Sequence, residues 1–246
     1  MQELRPIWRK FFCFNWVFAL TLMLVVCIPR FLLVLDANMS ANYSLIGLIM
    51  ILSALLPFIF LTKDGRKAIG IIRPKKYAPL LLAFISGLAF SLILYYFGSS
   101  IYGNTIQNWY TYIGKSYNIP ANLYTGDKLV LFSIMAFTGM IFSPIGEEFF
   151  FRGIVHGAFS ASIGNKKASI ADGLAFALTH IAHFGLVYNS YRWDFLPFAT
   201  LLWVVAMFLV SLLFFIFKKQ SGSIWGAVIC HSGFNFGMTY SIFYLL

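Results

Sequence analysis

Apolar residues fall into seven long runs, roughly 11–35, 45–62, 77–98, 128–150, 168–187, 195–217 and 223–245, separated by polar stretches. Each run is close to the ~20 residues that a helix needs to cross a bilayer core. The pattern predicts an all-α, polytopic transmembrane helical bundle of about seven spans. No internal repeat, low-complexity tract or second domain interrupts it, so residues 1–246 read as a single transmembrane domain. The first run follows Arg5, Arg9 and Lys10. Its core, FFCFNWVFALTLMLVVCI, is longer than a signal-peptide core and lacks a small-residue cleavage site, so a retained anchor is expected.

The polar stretches orient the bundle. The segment KDGRKAIGIIRPKK at 63–76 carries six basic residues and one acid, which predicts a cytoplasmic position. Alternating from it puts Arg5, Arg9, Lys10, Arg152, Lys166, Lys167, Lys218 and Lys219 on the same side. The opposite connections, DANMSANYS and YNSYRWD, hold one positive charge between them. The longer 99–127 connection is aromatic and polar. The expected topology is a cell-membrane protein with its N-terminus cytoplasmic and its C-terminus outside. Tyr95, Tyr96, Tyr188, Tyr191 and Trp193 cluster near run ends, as an interfacial belt requires.

Composition agrees: 60% of residues are hydrophobic and 11% charged, against about half and a quarter in soluble domains. The +10 net charge lies between apolar runs and not on one face. Membrane orientation therefore accounts for it, and no nucleic-acid partner is expected. Cys13, Cys27 and Cys230 show no metal or disulfide spacing and read as small hydrophobes.

Against this background SPIGEEFFFRG, residues 143–153, stands out. A carboxylate at bilayer depth costs about 2.5–3.5 kcal/mol on insertion scales, so ionisable groups there mark a site by default. Four groups qualify: Glu147-Glu148 with Arg152, His180 with His183, His231 with Asn235, and Asp172. Glu148 and Arg152 are four apart with the acid first, the favoured order for a helical ion pair, and His156 continues that stripe. Glu147 points about 100° away without a local basic partner, which makes it the candidate general base. Phe176 lies one turn before His180, and His231 and Asn235 are one turn apart. The depths of Glu147, His180 and His231 allow one polar cavity opening towards the cytoplasm.

Blander readings stand beside these. His183 and His156 suit hydrogen bonds to neighbouring helices, and His180 or His231 taken singly fit that role equally well. Asp172 suits the dipole of a first helical turn. A transporter's proton relay would use the glutamate pair as readily as a hydrolase.

In order along three runs, GEEFFFRG has the form E-E-x-x-x-R, FALTH the form F-x-x-x-H and HSGFN the form H-x-x-x-N. This combination resembles the CPBP family of intramembrane proteases, which includes the CAAX prenyl endopeptidases and the bacterial Abi, or bacteriocin-self-immunity, proteins. The resemblance covers about 128–240, the expected protease core. It implies that Glu147 and His180 activate a water molecule, that His231 and Asn235 stabilise the oxyanion, and that Glu148, Arg152 and Phe176 support the site. It leaves open zinc as cofactor, with Glu147, His180 and His231 as ligands, beside a metal-free mechanism using the same residues. No H-E-x-x-H, no second span-depth aspartate and no G-x-S-x-G points to another membrane-protease class.

The sequence thus predicts an intramembrane endopeptidase acting on a peptide or protein substrate, lipidated or not, near the cytoplasmic face. Peptide maturation, bacteriocin immunity and peptide signalling are all open. The Phe- and Ile-rich composition points to a bacterial, Abi-like member. The rivals are a proton-coupled transporter, disfavoured because no inverted repeat or broken-helix pair is visible, and a catalytically silent scaffold of the same fold.

Overall fold

Asn15 starts the first long helix. Its side chain accepts the backbone N–H groups of Val17 and Phe18, which satisfies two of the donors every helix start leaves open. Helix α1 therefore runs Trp16–Ser40, displaced from the 11–35 expected from hydropathy alone. In the computed structural model, which describes residues 2–120 and 124–246, the chain continues through α2 (Ser44–Phe60), the short α3 (Lys63–Ala68) and α4 (Ala78–Tyr102). Then come α5 (Trp109–Ser116), α6 (Thr125–Glu148), a π-helical segment (Phe149–Val155) and α7 (His156–Thr179). A 3₁₀ turn (His180–Ala182), a hairpin of β1 (Leu186–Asn189) and β2 (Arg192–Phe195), α8 (Pro197–Ser221) and α9 (Ile224–Tyr244) complete it.

The fold is a helical bundle with one short antiparallel hairpin, in which Leu186 pairs with Phe195 and Asn189 with Arg192. Four stretches, Trp16–Ser40, Ala78–Tyr102, Thr125–Ala182 and Pro197–Ser221, are long and apolar enough to cross a membrane, and Ser44–Phe60 is a shorter apolar helix. Thr125–Ala182 is not one straight rod. Gly164, at φ 78° and ψ 160°, breaks it into the fourth and fifth apolar runs. The 99–127 connection contains α5, whose Trp109 is fully buried beside Trp203 and Phe184. Residues 121–123 of that connection lie outside the described residues.

The helices meet through small residues, as expected where lipid removes the hydrophobic drive between spans. A Cβ on Gly87 would stand 1.9 Å from the carbonyl oxygen of Cys230, and one on Gly233 would stand 2.2 Å from that of Phe84. Backbone contact between α4 and α9 thus depends on both glycines. Pro144 does related work between α6 and α9. It has no N–H to offer the carbonyl of Met140, and the Ser232 hydroxyl donates to that freed oxygen at 2.6 Å. This bond fixes the rotation of α9 and so the direction of His231 and Asn235.

Candidate active site

The three motifs, far apart in sequence, line one cavity of about 200 Å³ with Arg30, Glu147, Phe176, His180, His231 and Asn235 in its wall. His183 lines it too, its ring 5.3 Å from that of His180. Glu148 and Arg152 lie behind the wall, completely buried.

Glu147 ends α6, and the structure corrects the expectation that it lacks a basic partner. Arg30, from the middle of α1, donates through Nη2 to its Oε1 at 2.8 Å, and the Ser143 hydroxyl donates to the same oxygen at 2.7 Å. Both charges are buried. The other oxygen, Oε2, is buried without a hydrogen-bond partner among the described residues. It faces His180 Nε2 at 3.7 Å, too far for a direct hydrogen bond.

His180 sits where α7 tightens into the 3₁₀ turn. That turn is clamped from both sides: the Trp203 indole donates to the carbonyl of His180 at 3.0 Å, and the Asn38 amide donates to that of Ala182 at 2.8 Å. The ring packs at a tilt against Phe176, 4.2 Å between centroids, and Nδ1 lies 2.7 Å from the carbonyl oxygen of Phe176. A carbonyl only accepts, so Nδ1 carries a proton, and in the neutral form of the ring the lone pair of Nε2 faces Glu147.

His231, on α9, has Nδ1 2.8 Å from Glu148 Oε1 and lies flat against Phe214 at 4.6 Å. Its Nε2 is left available to the cavity. One turn on, the Asn235 amide donates to the carbonyl of Gly139 at 2.9 Å and keeps its second N–H.

The ion pair expected between Glu148 and Arg152 is present at 3.2 Å, although the two groups are not aligned for a hydrogen bond. Aromatic faces complete the cage of the guanidinium: its carbon lies 4.2 Å from the Phe176 ring centre and 5.3 Å from that of Phe214. Cation–π attraction is strongest in such desolvated settings. Phe176 therefore packs between Arg152 and His180 and joins the buried cation to the cavity wall.

Two other expectations change. His156 does not extend the Glu148–Arg152 stripe. The π-helical segment Phe149–Val155 bonds i→i+5 and alters the register, so His156 meets Asp172 at 2.5 Å instead. Asp172 is not a first-turn acid. The helix resumes straight after Gly164, which leaves Asp172 well inside it and 1% exposed. As for the zinc set of Glu147, His180 and His231, no three His, Cys, Asp or Glu side chains among the described residues are grouped to hold a metal. A guanidinium already occupies one oxygen of Glu147.

Sequence reasoning missed Arg30, as well as Ser143, which donates to Glu147, and Asn38, which braces the turn after His180. The signal for Arg30 is present in the sequence: it is a lone charge in VVCIPRFLLVL, inside an apolar run, and such a charge marks a site by the same rule that singles out the glutamates.

In comparison with known proteins, residues 129–237 match a protein family described as type II CAAX prenyl endopeptidase Rce1-like. Neither a curated protein nor a solved structure matches the chain.

Proposed function

We propose that the chain is a CAAX-type protease of the CPBP family, a reading that the match over residues 129–237 supports, and that it is a metal-free glutamate endopeptidase in which Glu147 and His180 activate a water molecule. The observation that carries this reading is the 3.7 Å gap between Glu147 Oε2 and His180 Nε2. Both atoms accept hydrogen bonds, and neither has another partner among the described residues. A water seated beside the pair on its cavity side, admitted by a small rotation of the carboxylate, donates one hydrogen to each and turns its own lone pairs outward into the cavity.

Hydrolysis then follows in balanced steps. The water oxygen bonds to the scissile carbonyl carbon as its proton passes to Glu147. The carbonyl oxygen becomes an oxyanion beside His231 and Asn235, whose remaining N–H groups stabilise the developing charge. For Nε2 of His231 to donate, the ring carries both protons and Glu148 serves as its counter-ion. The intermediate collapses by breaking the C–N bond, and the proton held by Glu147 passes to the leaving amine. Arg30 and Ser143 act as positioning residues. They hold Oε1 and so aim Oε2.

The substrate in this reading is a membrane-associated peptide. Met50, Met135, Met207 and Met238 line the same cavity, and methionine adapts to varied apolar shapes. The test compares, by mass spectrometry, peptides released in cells carrying the wild-type chain or Glu147→Gln at equal membrane levels. Products that disappear with Glu147→Gln support the proposal, and their new termini identify the substrate. Identical peptide profiles with both proteins folded would overturn it.

A further inference from the structure

A second cavity, of about 510 Å³, lies among the basic ends of the bundle, walled by four segments that the sequence separates widely. The N-terminal segment contributes Glu3 and Phe14, the 63–76 segment Lys67 and Lys75, the start of α7 His156 and Asn165, and the α8–α9 turn Lys218 and Lys219. Backbone bonds clamp its rim. Lys75 N–H donates to the carbonyl of Ser221 at 2.9 Å and Ile224 N–H to that of Gly70 at 2.9 Å. The Ser223 hydroxyl donates to the carbonyl of Ile72 at 2.5 Å. The cavity is therefore a built feature and not a gap between loose loops.

Four lysines and one glutamate line this space. Two of the lysines are engaged: Lys67 lies 3.3 Å from Asp64, and Lys218 donates to the carbonyl of Arg152. Lys75 and Lys219 form no ion pair among the described residues. At the base, His156 is held between Asp172 at 2.5 Å and Asn165 Oδ1 at 3.1 Å, and the Ser160 hydroxyl donates to that same oxygen at 3.0 Å. Asn165 thus spends its oxygen inward and keeps its N–H groups for a ligand. Phe14 and Phe215 supply apolar wall.

We infer that this cavity binds a phosphate-bearing anion through Lys75, Lys219 and Asn165, either the headgroup of an anionic phospholipid or a soluble phosphate. Free ammonium and amide donors around an excess of positive charge suit phosphate oxygens. A basic pocket between helix ends at a membrane face is also a setting in which anionic headgroups bind. The site is separate from the peptidase cavity and does not depend on the proposed chemistry there.

The test is native mass spectrometry of the full chain in nanodiscs of phosphatidylcholine with or without phosphatidylglycerol, paired with melting curves in inorganic phosphate or pyrophosphate. Wild type is expected to retain phosphatidylglycerol over phosphatidylcholine, or to melt higher in the phosphate salts; the first outcome assigns a lipid and the second a soluble anion. Lys75→Gln with Lys219→Gln is expected to weaken the effect, at about five-fold per charge removed. Lys166→Gln with Lys167→Gln, a pair outside the cavity wall, is expected to leave it intact. Equal retention by wild type and the Lys75/Lys219 variant, or equal loss in both double variants, would overturn the assignment.

Discussion

Arg30 and Glu147 are 117 residues apart in sequence, yet Nη2 of one lies 2.8 Å from Oε1 of the other, with both side chains buried. The pair joins α1 to the end of α6 and fixes which carboxylate oxygen faces His180. Removing one member of a buried pair strands the other charge and typically costs about 3–5 kcal/mol, whereas removing both is much milder.

Arg30→Met is therefore expected to lower the melting temperature of the purified protein sharply, and the double variant Arg30→Met/Glu147→Gln to recover most of the loss. Arg30→Lys keeps the charge without the guanidinium fork. It is expected to restore stability while recovering only part of kcat, with KM little changed. A double variant no more stable than Arg30→Met would show that the pair is not coupled.

Glu147→Gln is expected to reduce hydrolysis per folded molecule by roughly 10²–10⁴-fold, the usual range for a general base, and to lose some stability because it leaves Arg30 buried without its partner. Glu148→Gln is expected to lose abundance as well, because it weakens the partnership of Arg152 and His231 in a fully buried cluster. Quantitative blotting beside a peptide-cleavage assay separates the two effects. A loss of activity per folded molecule as large in Glu148→Gln as in Glu147→Gln would remove the distinction between an acting and a supporting glutamate.

Asn235→Ala is expected to lower kcat by about 10²–10³-fold with KM nearly unchanged, because an oxyanion donor acts in the transition state and not in substrate binding. A rise in KM at constant kcat would instead assign Asn235 to substrate binding.

Activity of the purified enzyme is expected to survive prolonged treatment with EDTA or 1,10-phenanthroline. Loss of activity that is restored by added zinc would reject the metal-free mechanism and require Arg30 to leave Glu147.

Gly233→Val is expected to prevent stable folding, since the position where its Cβ would stand lies 2.2 Å from backbone oxygen on the facing helix. Near-normal melting of that variant would mean that α4 and α9 are packed less closely.

Hydropathy and charge spacing determined much of this protein by themselves. Length and apolar content make the helices, because an unpaired backbone group is too costly in hydrocarbon. The i, i+4 spacing of Glu148 and Arg152 places both on one face whatever the rest of the chain does. His180 and His231 stand out for the same reason, as polar groups in apolar runs.

Only the tertiary structure decided which of these groups meet. Glu147 looks unpaired in the sequence because its partner sits on another helix, and no local periodicity reports an interhelical contact. Asp172 and His156 depart from their sequence spacing because register depends on backbone geometry: the π-helical segment at Phe149–Val155 and the break at Gly164 rotate the residues beyond them. The orphaned oxygen of Glu147 and its distance from His180 likewise arise from three helices packing at once. Sequence spacing sets a side chain's direction on its own helix, and packing sets what lies in that direction.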